Sequence, residues 1–257
     1  MWLSWGLLWA GLAGTAGIAA GQSVAMEMVP RMLPGALPTV SVTTLRIPEK
    51  AWTHFERALE AMQAKRMEEY ERETAKALAI APAFAEVYLL RAIHEVSEHQ
   101  FDAAIADVEQ ARRAEPGVSW AGVILASAYN GEHRWADAVV ILDNLHGAEA
   151  DTWQARYERT RSAIGGRDVE GALHWSEQVV LMAPANFAEV HLLRANALSL
   201  ARRWPAAITE METYLDAEQA QPHRAEVQAM IEHAGLLAQS DKGPGNNVPE
   251  EAAIASR

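Results

Sequence analysis

An all-α solenoid of about five helix pairs, ended by a C-terminal capping helix, is the fold class this sequence predicts. The first observation behind it is a near-duplication: "APAFAEVYLLRA" begins at Ala81 and "APANFAEVHLLRA" at Ala183. Ala85 and Ala188 stand three periods of about 34 residues apart, plus one inserted residue, Asn186 or Phe187. The second observation is that other residue types recur on the same grid. With Ala85 as position 1, position 17 holds Met67, Phe101, Trp135, Val169 and Trp204. Position 20 holds Tyr70, Ala104, Ala138, Ala172 and Ala207, and position 8 holds Ala58, Ala92, Ala126, Thr160 and Ala195. The third is that each repeat carries two apolar runs at i, i+3, i+4, the spacing that puts a stripe on one side of a helix.

The elements follow in chain order. Residues 1–26 contain no charged side chain, and "WLSWGLLWAGLAGTAGIAAG" within them is an apolar run followed by small residues suited to signal-peptidase cleavage after Gly21 or Ala25. The expectation is a signal peptide or a membrane anchor, so residues 2–21 are the candidate membrane contact and the chain is expected to be exported, periplasmic or extracytoplasmic, or anchored by its N-terminus. Five glycines between Gly6 and Gly21 argue against a buried core helix, each costing about 1 kcal/mol relative to alanine. Residues 27–48 hold Pro30, Pro34, Pro38 and Pro48 and read as a linker, because proline neither continues a helix nor pairs in a central strand.

The repeats occupy 49–221, as 51–84, 85–118, 119–152, 153–186 and 188–221. Short polar turns such as "EHQ", "EHR" and "GGRD" separate the two helices of a pair, and Pro82, Pro116 and Pro184 mark the end of the second helix. Two short helices cannot bury their apolar stripes alone, so stacking the next pair completes the core. Small residues at positions 8 and 20 let the paired helices approach closely. Residues 222–239, "HRAEVQAMIEHAGLLAQ" in the main, place Val227, Met230, Ile231, Ala234 and Leu237 on one face, as a solvating end helix requires. Residues 240–257 lack apolar periodicity and read as a disordered tail.

The pattern resembles the tetratricopeptide repeat (TPR), whose signature runs W-x2-L-G-x2-Y, A-x3-F, P. Tyr88, Ala92, Ala104, Val108 and Pro116 match it in one repeat, and Leu125, Ala126, Tyr129, Ala138 and Leu142 in the next. The resemblance covers roughly 49–221 and implies a right-handed TPR-type α-solenoid that acts as a non-enzymatic protein-interaction scaffold. "VSVTTLRIPEKAWTHFERALEAM" is also similar to the entry of exported bacterial TPR proteins. Departures concentrate in the first and fourth repeats, at Tyr70, Thr160 and Ser176.

Position 7, normally apolar in such repeats, reads Arg57, Arg91, Leu125, Arg159 and Arg194, while position 23 reads Glu73, Asp107, Ile141, Trp175 and Glu210. The columns change together, which predicts contact across the helix pair. A guanidinium taken out of water needs a carboxylate or an aromatic face. The expected structural pairs are Arg57–Glu73, Arg91–Asp107 and Arg194–Glu210, with Arg159 stacked on Trp175.

The resemblance further implies that positions 2, 5, 9, 12 and 13 line a concave groove. Those positions supply the expected partner-binding residues Trp52, Phe55, Leu59, Leu89, Ile93, Trp120 and Val123, then Asn130, Tyr157, Arg161 and Asn196. An apolar strip with polar groups at one end suits a protein or peptide partner; the alternative is that the strip is inter-repeat core or is covered by residues 27–48 folding back. Groove positions carry no lysine, which disfavours a clamp on a terminal carboxylate. The alternative is a structural subunit or spacer of a cell-envelope complex, using the convex face or the apolar N-terminus.

Composition narrows the rest. Half of the 257 residues are hydrophobic, and the net charge of −12 removes the basic face that nucleic acid needs. There is no cysteine, hence no disulfide or thiol chemistry. His94 and His99 lie five apart, roughly 140° around a helix, and cannot share a metal. Glycine-rich phosphate loops, dinucleotide turns and G-x-S-x-G are all missing from the sequence. No catalytic residue, metal or cofactor is expected, and Glu68–Glu69 read as a solvated helix face.

Overall fold

The computed structural model describes residues 46–217 and 223–241. The expected signal or anchor segment, nearly all of the proline-containing linker and the tail beyond Asp241 lie outside the described residues. Eleven α-helices carry the described chain: α1 (Glu49–Gln63), α2 (Met67–Ile80), α3 (Ala85–Ser97), α4 (Phe101–Ala114), α5 (Ala121–Gly131), α6 (Trp135–Asp143), α7 (Trp153–Gly165), α8 (Val169–Met182), α9 (Glu189–Leu200), α10 (Trp204–Leu215) and α11 (Arg224–Asp241). Each odd helix packs on the even helix that follows it. Successive odd helices touch, α1 to α3 through α7 to α9, and α11 closes the row against α10. This is an all-α TPR-like solenoid, with α1, α3, α5, α7 and α9 as its inner row.

The repeat is written into the backbone. Every inner helix stops at position 13 of the grid and every outer helix begins at position 17. Between them position 15 is left-handed in all five repeats, at Lys65, His99, His133, Arg167 and Arg202 (φ 56 to 60°). The amide of position 16 donates back to the carbonyl of position 11 each time, as in Gln100 to Glu95 (2.8 Å) and Arg203 to Leu198 (2.8 Å). These are Schellman turns made without glycine, and the closed hydrogen bonds hold a conformation that costs an L-residue about 1–2 kcal/mol.

Packing between repeats explains the residues at position 17. A Cβ added to Gly131 would lie 2.3 Å from the Phe101 ring, and one added to Gly165 would lie 2.3 Å from the Trp135 ring. The large ring at position 17 therefore sits on the glycine at position 13 of the next repeat. Where position 17 is Met67 or Val169, position 13 of the next repeat is Ser97 or Leu200. Volume is conserved across the joint, as close-packed interiors require.

The third repeat departs from the grid. Its outer helix α6 has 9 residues against 14 in α2. The chain then turns through Gly147 (φ 68°) and a 3-10 turn at Gly147–Glu149. The segment packs inward: a Cβ on Gly122 would meet Leu145 at 2.3 Å, and Glu149 Oε1 accepts from the Val123 amide at 3.3 Å. That carboxylate satisfies a free N–H in the first turn of α5.

Most of the apolar interior is one cluster running from Ala51 to Leu193, and a second joins α9, α10 and α11 through Trp204, Met211, Tyr214, Val227 and Met230. Asp241 fastens the cap, accepting from Trp204 Nε1 at 2.7 Å and pairing with Arg202.

Candidate functional site

The sequence left open whether the apolar strip of the inner row is an exposed groove or inter-repeat core; its apolar members are buried, so as an open binding strip they are corrected. Phe55, Ile93, Val123 and Tyr157 are 0% exposed, and Leu59, Leu89 and Trp120 are buried as well. Trp52, Arg161 and Asn196 keep partial exposure, and Asn130 does not. The physical reason is that leaving such side chains in water forfeits about 1.5–3 kcal/mol each. Phe55 instead packs with Trp52 and Phe84 (ring centroids 5.5 Å from each), and Tyr157 and Trp153 enclose Phe187. Phe187, which precedes Ala188 as Phe84 precedes Ala85, packs against α7 through Trp153 and Tyr157.

The charged columns divide. Arg91 Nε lies 2.9 Å from Asp107 and Arg194 Nε 2.8 Å from Glu210, both across a helix pair. Arg159 sits over the Trp175 ring at 5.1 Å and also pairs with Asp143 at 2.6 Å, reaching back to the preceding repeat. Arg57 differs: it is exposed and makes no ion pair with Glu73. His54 Nδ1 and Lys76 Nζ, each at 2.7 Å, hold that carboxylate instead. The Lys76 hydrogen bond first, then His54, lowers Glu73 to about 2. His191 Nδ1 meets Glu210 at the same 2.7 Å. His54 and His191 both occupy position 4, so position 4 was the missed partner of the acid at position 23. Its sequence signal was histidine in the two repeats with glutamate there.

On α5 and α7 a polar network is buried. Glu158, 0% exposed, accepts from Asn130 Nδ2 at 2.8 Å and pairs with Arg161 Nη1 at 2.9 Å. Ser162 Oγ donates to Asn130 Oδ1 at 2.8 Å. Glu158 stands at position 6, off the expected groove positions, and sequence reasoning missed it. A carboxylate at that depth requires these donors, since an unpaired buried charge is prohibitive. Arg161 is therefore already neutralised and is not a free cation in the groove.

Four buried polar atoms close by are without any hydrogen-bond partner: Gln154 Oε1 and Tyr157 Oη on α7, Asn196 Oδ1 and Ser199 Oγ on α9. They fall at positions 2, 5, 9 and 12, the face that the resemblance implied for ligand contact. Burial pushes the Tyr157 phenol far above its usual range, keeping it a neutral donor and acceptor. Each orphaned group costs about 1–3 kcal/mol. All four groups are uncharged, two amide oxygens and two hydroxyls.

Among the described residues no group of three or more His, Asp or Glu is placed to hold a metal, and no helix is long and apolar enough to cross a membrane. The membrane candidate at 2–21 lies outside the described residues. No protein-family model and no curated protein matches the chain. Among solved structures it is similar to the crystal structure of the P58(IPK) TPR domain, at 14% identity and a TM-score of 0.37, over 91% of this chain and 80% of that one. The TPR-like character rests on the repeated helix pairs, turns and packing of the chain itself.

Proposed function

We propose that the protein is a non-enzymatic protein-interaction scaffold that holds a polypeptide segment along the α7–α9 end of its inner row. The observation that carries this reading is the set of unpartnered buried atoms on Gln154, Tyr157, Asn196 and Ser199. Two amide oxygens and two hydroxyls suit the alternating N–H and C=O groups of an extended main chain. The balance of Arg161 by Glu158 favours main-chain recognition over a charged terminus. The uncharged, apolar composition of residues 1–26 supports an exported or membrane-tethered scaffold, and N-terminal sequencing from the native host tests that part.

Selection from a random peptide display library, followed by calorimetry, tests the binding. Gln154→Leu and Asn196→Leu should each weaken a selected peptide by about tenfold or more, with helicity unchanged. Selected peptides that bind equally well to both variants refute the reading. A second reading is favoured by exposed Val139 and Val140 on α6 and Leu181 and Met182 on α8: a structural subunit docked through its outer helices. Serine at those four positions would then abolish assembly and leave peptide binding intact.

A further inference from the structure

A second feature lies away from the α7–α9 end of the inner row. A cavity of about 400 Å³ opens between α2 and the C-terminal half of α3, lined by Tyr70, Thr74, Leu78, Arg91, His94 and Glu95 among others. Tyr70 is 3% exposed, and its hydroxyl has no hydrogen-bond partner; the Glu95 carboxyl shares a hydrogen bond with the Asp107 carboxyl. Three carboxylates bear on the space: Glu71 from α2, Glu95 from α3 and Asp107 from α4. Against them stand one guanidinium, Arg91, committed to Asp107 at 2.9 Å and 3.9 Å from Glu95, and the His94 ring, packed edge-on to Tyr70 at 5.0 Å.

We propose that this cavity binds an organic cation of the guanidinium or ammonium class carried on a short aliphatic stem. The head would lie against Glu95 and the Tyr70 hydroxyl, and the stem against Leu78 and Ala75. Two chemical features favour a cation. The carboxylates exceed the guanidinium in number, and an added cation removes the cost of keeping Glu95 and Asp107 ionised side by side. Burial, then repulsion from Asp107, raises Glu95 to about 7, so in the empty protein a proton does part of what the ligand would do. Binding therefore displaces that proton from the Glu95–Asp107 pair to solvent, and no bond other than O–H is broken.

The experiment titrates the full-length protein with butylguanidinium chloride and with neutral butylurea, by calorimetry at pH 6.5 in two buffers of different ionisation enthalpy. Butylguanidinium should bind, with proton release, and butylurea at least about tenfold more weakly. Glu95→Gln should weaken binding about tenfold and abolish proton release, and Tyr70→Phe, which keeps the packing, should weaken it several-fold. Gln154→Leu, which weakens peptide binding, should leave butylguanidinium binding unchanged, which separates this cavity from the α7–α9 end. An acetylated arginine amide that binds more tightly than butylguanidinium identifies a partner's side chain as the source; equal affinity identifies a free small cation. Absence of saturable binding, equal binding of butylurea, or binding indifferent to Tyr70→Phe overturns the proposal.

Discussion

Substituting alanine at Gly165 tests the joint between repeats most sharply. The new Cβ would stand 2.3 Å from two Trp135 ring atoms and 2.7 Å from a third. Ordinary carbon contacts begin at about 3.5 Å, so the rigid indole must retreat by about 1 Å inside a packed joint. Overpacking of this kind costs about 1–3 kcal/mol. Alanine's better helix propensity returns at most about 1 kcal/mol, and less here because Gly165 ends α7. The net loss should be about 1–2 kcal/mol, and Trp135→Val should remove the clash, since position 17 in the next repeat is the smaller Val169. Urea unfolding followed by circular dichroism, on wild type, both single variants and the double variant, gives the coupling energy. A favourable coupling of about 1–3 kcal/mol is expected. A coupling below about 0.5 kcal/mol would show that Trp135 and Gly165 do not share one joint.

Other outcomes follow from the same geometry. Phe55→Ala should cost about 3–5 kcal/mol in chemical unfolding, because the ring is fully buried between Trp52 and Phe84. Arg91→Met leaves two carboxylates facing each other and should cost about 1–3 kcal/mol, moderated by the partial exposure of the arginine; Arg57→Met should cost under about 1 kcal/mol. Glu73 is held well below its usual value, so its contribution is present above about pH 4.5 and is lost as pH falls toward about 2. An acid titration of Lys76→Met should show a smaller loss over that window. Glu95 is raised, so its contribution is present below about pH 4.5 and is lost as pH rises through about 7. Glu95→Gln should flatten that decline in a series of melts from pH 5 to 8.

Much of the fold was legible because a repeated hairpin leaves its period in the sequence. Position 17 recurs at the start of every outer helix, from Met67 to Trp204, and the short polar turns marked where the paired helices part. The covarying columns located Arg91–Asp107, Arg194–Glu210 and Arg159–Trp175, since a charge in a packed pair constrains what faces it. Arg57 misled because its column partner, Glu73, had two nearer donors, and a column of residue types does not reveal competition in space. The inner row stayed undecided for a related reason. Pattern gives the face on which Phe55 or Ile93 lies but not whether that face is covered. Glu158 was invisible because a buried carboxylate reads in sequence like any solvated one, and its partner Asn130 lies most of a repeat away, across the joint between α5 and α7. The short α6 was missed because its loop, Asn144 to Thr152, keeps the 34-residue count while abandoning the helix.

Stability and affinity measured on the same Tyr157→Phe protein test the central claim most directly. If the hydroxyl is held unpaired for a ligand, removing it should raise the unfolding free energy by about 1–3 kcal/mol and weaken a display-selected peptide. A protein in which stability falls and affinity is unchanged would show that the hydroxyl serves the fold alone, and would contradict the account.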